Sequence, residues 1–443
     1  MEMTLNDIAS PLVMHIFQQN ERAWRGGEYR LRGVNRAFKG LVDNVVTRAH
    51  VSRSVELSSE DVSAIFKAPK SLHNLRRICI DIRSDISHGV QESDMDCIPS
   101  SSVEDFTSMC AFPDGAFRRL FGRPWPRLRC LRVVVDCNPR KNMQVLASAS
   151  SAGHLPCLEE LYIFSGEDHP VPEDALLALG RGDWNGLRDL SLDWSGLKML
   201  TPASMKALCR SCPGLTTFDC SNGYLNADVL RAITWLDLRH FSLRNCLVNA
   251  STMEELSTNP VFKGVRELTL QVSTMSLDAM RMFAKHSSTQ WRHVEYLSLC
   301  DCKFEEDAYP DGPQTPTPGG LDMMRALTRT HLPALETLLL DSCNLECEHV
   351  LILCEEGGDW PQLQTLVLGG NEFGFVLGDG NEASKMVRVY KALSTARDTK
   401  WTQLDRVVFP GLRHWWDAAV SAVSSSGYNS LDDILVISDD EEE

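Results

Sequence analysis

No stretch of the 443-residue chain approaches the ~18 consecutive apolar residues that a membrane helix needs. The N-terminus carries no basic, apolar and small-residue series of the kind that marks a secretory leader. The expected compartment is therefore the cytoplasm and/or the nucleus, with no membrane partner. Positive charge is short: 44 Lys and Arg face 60 Asp and Glu, for a net charge of −16. That balance argues against a nucleic-acid surface. Seven of the acids crowd into Asp432 to Glu443. Metal-ligand spacing is also missing. Cys209-x-x-Cys212 has no second pair, so no zinc or other cofactor is expected. Gly378-Asp-Gly380 lacks both the P-loop lysine and the EF-hand ligand series. No nucleophile stands in a motif with a base, and His240, His293 and His331 match no catalytic pattern. The chain is not expected to be an enzyme. The 15 cysteines are odd in number and do not form a small disulfide framework.

What the chain does have is a recurring frame. In Leu332-Pro-Ala-Leu-Glu-Thr-Leu-Leu-Leu-Asp-Ser-Cys-Asn-Leu345, the residues Leu335, Leu338 and Leu340 follow the spacing L-x-x-L-x-L, with Cys343 eight residues after Leu335. The frame starts again at Leu75, Leu128, Leu158, Leu187, Leu215, Leu238, Val265, Val294, Leu363 and Leu404, and most intervals lie between 23 and 30 residues. Cys246, Cys302 and Asn371 hold the same turn position as Cys343. Three residues before the starts stand Trp125, Leu155, Trp184, Cys212, Trp235, Phe262, Trp291, Leu332, Trp360 and Trp401. Six of the ten tryptophans thus share one repeat position. A large apolar residue there would seal each helix end against the next strand.

This frame matches the leucine-rich-repeat signature, and the alternation with capped helices resembles the ribonuclease-inhibitor type of that family. The helices expected are Pro202 to Ser211, Ala227 to Ile233, Thr252 to Thr258, Leu277 to His286 and one near Glu382 to Ala396. Thr201, Asn226, Ser251 and Ser276 are the expected caps of the first four. The resemblance implies an α/β fold: a right-handed horseshoe solenoid over residues 51–420, with parallel strands on its concave face. Residues 51–74 read as a degenerate first coil, with Val55 and Leu57 on a strand. A loop is expected from Ser84 to Ser102, and a helix around Val103 to Leu120. Glu305 to Gly320 and Phe373 to Lys400 read as insertions, the second with a Gly-rich piece from Gly374 to Gly380, and Trp415-Trp416 as part of a C-terminal closure.

Strand alternation marks an outward, partner-binding face. Its candidate residues are Asp189, Asp193, Asp219, His240, Arg244, Glu267 and Tyr296, with Tyr162 and Phe164 as an aromatic hot spot.

The first 50 residues leave the frame. Leu5-Asn-Asp-Ile-Ala-Ser-Pro-Leu-Val-Met-His-Ile-Phe17 and Leu31-Arg-Gly-Val-Asn-Arg-Ala-Phe-Lys-Gly-Leu41 resemble the opening and closing helices of an F-box. The departures are Asn6 for the usual Pro, Asn35 for the usual Cys, and a middle helix around Glu21 to Gly27 that matches poorly. The resemblance implies docking on the Skp-type adaptor of a cullin–RING ubiquitin ligase through Ile8, Leu12, Ile16, Phe17, Leu31, Val34, Phe38 and Leu41. A helical cap over the end of the solenoid is the alternative.

The tail, residues 421–443, is Ser-rich and then acidic and is expected to be flexible. Within it, Ile434-Leu435-Val436-Ile437, followed by Ser438, Asp439 and Asp440, resembles a SUMO-interacting motif. Such motifs act by strand addition, with acids against a basic rim. A last strand followed by a solubilising tail fits the same residues. Together these resemblances imply a substrate receptor of an SCF-type ligase, with an unknown protein target and SUMO or a SUMO-modified protein as a further partner. A repeat scaffold or inhibitor with no ligase link is the alternative.

Overall fold

The computed structural model describes residues 48–53, 75–82, 92–135, 138–165, 172–194, 200–222, 225–271, 274–302, 318–371, 382–410 and 435–438. The chain divides into two compact units: Met1–Leu190 with Arg210–Pro213, and Ser191–Cys209 with residues 214–443.

The first unit carries the strands Arg48–Arg53, Arg77–Ile82, Asp105–Ala111, Cys130–Val134 and Glu160–Ser165, each paired in parallel with the next in chain order. Parallel neighbours need a crossover, and helices supply it at Asp114–Phe121, Pro139–Ser151 and Glu173–Leu179. Along each strand alternate residues point inward. Leu131, Val133, Leu161 and Ile163 are fully buried, while Arg132, Tyr162 and Phe164 are half-buried on the other side.

The second unit repeats the plan. Its strands Thr217–Ser221, His240–Arg244, Glu267–Gln271, Tyr296–Ser298, Thr337–Leu339, Thr365–Val367, Arg406–Pro410 and Leu435–Ser438 are again parallel, each beside the next. A small ladder joins Leu247–Val248 to Thr274–Met275. The helices are Pro202–Ser211, Ala227–Arg231, Ala250–Thr258, Leu277–Gln290, Pro318–Thr328, Cys347–Glu356 and Glu382–Thr399. Strand, turn and helix in a 23-to-30-residue period make the chain an α/β leucine-rich-repeat solenoid, with the frame starts buried at Leu215, Leu238, Val265, Val294, Leu335, Leu363 and Leu404. No described helix is long and apolar enough to cross a membrane.

The tryptophan position does what its chemistry suggests. Trp125, Trp184, Trp235, Trp291, Trp360 and Trp401 are all at most 3% exposed. Each buries ~200 Å², worth ~5 kcal/mol at ~25 cal/mol/Å². The Trp125 indole N–H donates to the Leu120 carbonyl at 2.9 Å and that of Trp184 to the Leu179 carbonyl at 3.0 Å, so each ring closes the helix end before it. Trp360 donates to Thr330 Oγ1 at 2.9 Å and stacks on Trp401 with centroids 5.9 Å apart. The glycine two residues earlier makes room: a Cβ at Gly182 or Gly358 would overlap the indole of Trp184 or Trp360.

Strand exits are the other repeated device. Asn222, Asn245, Asp301, Ser342 and Gly370 all have φ between 50° and 59°, the left-handed region that Asn, Asp and Gly adopt at least cost. The four that are not Gly donate their N–H groups to the next coil: Asn222 to the Arg244 carbonyl, Asn245 to Gln271, Asp301 to Asp341 and Ser342 to Gly369, at 2.7 to 2.9 Å. One residue on, the turn side chains are buried. The thiols of Cys302 and Cys343 donate to the Leu270 and Leu299 carbonyls at 2.9 and 3.0 Å. Asn371 does more. Its Oδ1 accepts the N–H groups of Cys343 at 2.8 Å and Leu345 at 3.0 Å, and its Nδ2 donates to the carbonyls of Leu340, Leu368 and Gly369.

Several sequence expectations change. The strand at Arg48–Arg53 begins inside the stretch expected to be a helical module and precedes the one expected at Val55 and Leu57. Where a helix was expected from Val103, Asp105–Ala111 is a strand, and the helix is confined to Asp114–Phe121. This is a whole further coil starting at Val103, which splits the long gap after Leu75 into ordinary periods. Its second inward position is Ser108, fully buried, whose hydroxyl donates to the Cys110 carbonyl at 3.1 Å, so the frame carries no apolar mark there. Within the loop expected from Ser84 to Ser102, Glu92–Cys97 forms a 3-10 turn. The Ala250–Thr258 helix is capped by Asn249 rather than Ser251. Asn249 Oδ1 accepts from the Thr252 N–H at 3.0 Å, because the helix starts two residues earlier. The insertion expected to run to Gly320 ends at Pro318, which opens a helix. Within the expected flexible tail, Leu435–Ser438 forms a strand in register with Val407–Pro410.

Two stability predictions follow from these buried groups. Asn371→Ala leaves two N–H groups and several carbonyls without their partner, and should cost about 2–4 kcal/mol, read as a lower urea midpoint. His349 is 1% exposed, and its Nδ1 accepts the Glu346 N–H at 3.1 Å at a helix start. Burial lowers its pKa from 6.5 to about 4. The unfolded chain binds the proton near 6.5, so stability is full above that pH and falls as the pH drops toward 4, by ~3 kcal/mol at most. His349→Gln keeps an acceptor at that position without titrating, and should flatten the acid arm of stability against pH between those values.

Candidate functional site

Because inward positions are committed to the core, chemistry available to a partner sits on the outward strand positions. In the first unit this face centres on Arg132. Its guanidinium lies over the Tyr162 ring, 4.5 Å from the centroid, and reaches Asp105 Oδ1 at 3.4 Å and Glu160 Oε2 at 3.5 Å. The Tyr162 hydroxyl donates to Glu160 Oε2 at 3.4 Å. Burial, reinforced by Glu160, pushes the Tyr162 phenol up, so it stays a neutral donor. Phe164, two residues along, is half-buried beside Val134 of the neighbouring strand. Asp189 opens the strand Asp189–Trp194 and is half-buried. The cluster offers a held cation, an aromatic face and two carboxylates within one patch, the mixture that suits a protein contact.

In the second unit the register builds rows across the strands. One runs Thr217, His240, Glu267, Tyr296, Thr337, Thr365, Arg406. The next runs Asp219, Ser242, Thr269, Ser298, Leu339, Val367, Val408, Val436. His240 Nδ1 is 2.7 Å from Glu267 Oε2, and Arg244 reaches Asp219 Oδ2 at 3.4 Å. Burial pushes the Asp219 carboxyl up, against the pull of Arg244. Asp193 accepts from the Asn222 amide at 2.9 Å, and Asn222 accepts from Asn245 at 3.0 Å, a chain of amides along the strand exits. Burial pushes the Cys300 thiol up, which makes it a poor nucleophile.

Sequence reasoning placed Asp219, His240, Arg244, Glu267 and Tyr296 on this outward surface, and the structure brings them onto adjoining strands. It missed that in the second row Leu339, Val367 and Val408 replace polar residues. The signal was the same alternation, continued past Tyr296 into strands whose outward residues are themselves apolar. Cys209 and Cys212, the lone C-x-x-C, are core side chains at 5% and 1% exposure. Among the described residues no group of His, Cys, Asp and Glu is placed to hold a metal ion.

The residues with an expected adaptor role, Ile8, Leu12, Ile16, Phe17, Leu31, Val34, Phe38 and Leu41, lie outside the described residues, as do Ile434, Asp439 and Asp440. Of the SUMO-type motif, Leu435 to Ser438 are described as the strand beside Arg406–Pro410.

No family model matches the chain, and no curated protein matches it. A solved leucine-rich-repeat-containing protein, LegL7 from Legionella pneumophila, is 14% identical; the match covers 80% of this chain and 98% of that chain at a TM-score of 0.42.

The inward and outward assignments carry opposite energetic expectations. Tyr162→Ala should change stability by less than ~1 kcal/mol, while Leu161→Ala, one residue earlier and fully buried, should cost about 2–5 kcal/mol. Urea unfolding of the two variants reads the difference directly.

Proposed function

We propose that this chain is a non-catalytic protein receptor whose outward strand positions hold a target, and whose first 50 residues dock it on the Skp-type adaptor of a cullin–RING ubiquitin ligase. The observation that carries the receptor half is the outward ladder itself. Side chains with no role in the core stand in register on adjacent strands and mix cations, carboxylates, aromatic rings and an apolar row. A repeat fold presents such a face without specifying chemistry of its own.

The adaptor half rests on sequence resemblance: apolar residues at helical spacing from Ile8 to Phe17 and from Leu31 to Leu41, followed at once by repeats. Ubiquitin transfer would belong to other subunits. The SUMO-type reading of the tail has a constraint to meet. Leu435–Ser438 already uses one edge for Arg406–Pro410, so a modifier would have to add to the other edge or displace the strand.

The competing reading, a scaffold or inhibitor with no ligase link, is favoured by one observation. Among the described residues the sheet begins at Arg48–Arg53, immediately after the stretch in question, which is where a solenoid cap belongs. A pull-down of the purified adaptor separates the two. Capture by the full chain, lost on deleting residues 1–47 and reduced at least tenfold by Phe17→Ala with Phe38→Ala, supports the ligase receptor. No capture by a chain that is folded by circular dichroism overturns it, and residues 1–47 are then a cap.

A further inference from the structure

We infer that the second unit carries a docking site for an acidic segment of a partner protein, formed by Arg239, Lys263, Arg266 and Arg292 where three consecutive coils enter their strands, with Leu236 at one end. The inference goes beyond the receptor reading and does not rest on it: these residues precede the strands, and none of them holds an outward strand position.

The repeat brings them together. Leu236, Lys263 and Arg292 each follow a buried aromatic residue of the seam: Trp235, Phe262 and Trp291. Arg239 and Arg266 each follow a buried frame start, Leu238 and Val265. Backbone bonds fix the register at this edge. The Arg266 N–H donates to the Arg239 carbonyl, and the Glu295 N–H to the Arg266 carbonyl, both at 2.7 Å. At about 4.8 Å per strand, three coils span ~10 Å. The coils on either side carry no cation at these two positions. They have Pro213 and Thr216 before the strip, and after it Pro333 and Glu336, then Pro361 and Gln364. At these positions, positive charge is confined to one strip of a chain whose net charge is −16.

All four cations are exposed. Arg266 reaches Glu295 Oε1 at 2.8 Å. Arg239 donates to the Gly264 carbonyl at 3.5 Å, and Arg292 Nε to His293 Nε2 at 3.0 Å. Among the described residues neither of these two, nor Lys263, pairs with a carboxylate. Asp237 and Glu295 are the acids of the strip, so four cations stand against two carboxylates. The crowding shows at His293. Burial, and then Arg292, Arg266, Lys263 and Arg239, hold its imidazole below the ordinary pKa. Leu236 occupies the position that Lys263 and Arg292 hold in the next two coils, and it is 85% exposed. Covering it removes apolar surface from water.

The arrangement identifies the occupant. The cations lie along a line rather than around a point, so a single phosphate would meet only one or two of them. An extended segment rises about 3.3 Å per residue, so roughly three residues cross the strip and carboxylates along them reach successive coils. A membrane or a nucleic acid brings its charge against a wide face of a strongly acidic chain. A short segment stays within a Debye length, about 8 Å, of the strip and responds to its local charge. The complement is a run of Asp or Glu with an apolar residue at the Leu236 end.

The test uses the full chain and fluorescent synthetic 10-residue peptides with one terminal Leu, in three sets: rich in Asp and Glu, in Lys and Arg, or in Ser and Gly. Fluorescence anisotropy should show the acidic set binding at least tenfold more tightly than either other set, with affinity falling as salt rises. Arg239→Ser, Lys263→Ser and Arg292→Ser together, exposed and with no ion pair to lose, should weaken the acidic set at least tenfold and flatten the salt dependence. The same loss of charge from exposed helix positions, Arg231→Ser with Arg281→Ser and Lys285→Ser, should leave binding within twofold. Leu236→Ser should weaken it ~3-fold or more. Circular dichroism checks that each variant is folded. Acidic binding that is absent, unmoved by the strip substitutions, or reduced as much by the helix substitutions overturns the inference. So does tighter binding of phosphatidylserine-containing phosphatidylcholine vesicles, or of single-stranded DNA, than of the acidic set. None of these outcomes bears on the receptor reading, which the adaptor pull-down decides on its own.

Discussion

Everything in this fold depends on satisfying backbone at the strand exits. A parallel strand that ends and turns sharply leaves its last carbonyls and the first loop N–H groups inside the protein, where an unpaired group costs about 1–3 kcal/mol. Among the described residues the chain meets this demand at five strand exits of the second unit. A residue in the left-handed region turns the backbone and sends its N–H to the next coil. At four of the five the residue after it is Cys or Asn, small enough to be buried and able to bond to carbonyl oxygens. Asn371 is the fullest case, with two bonds accepted and three donated. Cys does less at the same position but tolerates burial better, since a thiol loses little on leaving water. With the exits closed, strands from successive coils can stand side by side, and the tryptophans can seal the far side.

That arrangement separates two kinds of position on every strand. Inward residues are dictated by packing: Leu268 and Leu270, Phe241 and Leu243, Leu297 and Leu299 are at most 1% exposed. Outward residues are dictated by nothing in the fold. Arg132 lies over Tyr162, and His240 sits beside Glu267, without either contact being needed to close a coil. Exposed ion pairs of this kind are worth little to stability, so their arrangement is available for recognition. A solenoid in this sense is a device for varying a surface while keeping the core constant.

The legible part of the sequence was the part under that inward constraint. The frame from Leu128 onward, the shared tryptophan position and the turn residues Cys246, Cys302, Cys343 and Asn371 could all be read because each has one physical job repeated many times. What escaped was local substitution of one solution by another. At the Val103 coil, Ser108 holds an inward position by bonding to Cys110 carbonyl oxygen, so a polar residue did the work of a leucine and the coil looked like a helix and a loop. At Asn249 the cap lay two residues before the expected one, because Asn249 and Ser251 are both capable caps and only the packing of the helix chooses between them. Leu435–Ser438 could be read as a recognition motif or a last strand, since both need the same β-prone residues. The apolar row at Leu339, Val367 and Val408 was hidden for the opposite reason. In strands reading Thr-Leu-Leu and Thr-Leu-Val, an outward apolar residue beside an inward one breaks the alternation that marks a face.

That last case carries a general consequence for repeat surfaces. A single outward leucine is unremarkable, because much of any folded surface is apolar. Register converts it into information. Residues 28 or 41 apart in sequence, Leu339 to Val367 and Val367 to Val408, become neighbours at about 4.8 Å, so a property shared by three coils at one frame position becomes a continuous strip. The strip can be found only by aligning the chain with itself at the exits and reading down the columns. Read that way, the outward columns of this chain pass from paired charges to an apolar row at Leu339, Val367 and Val408, and the change falls between coils whose inward residues stay apolar. The inward core does not require that difference, and the same column continues in register to Val436 of the last described strand.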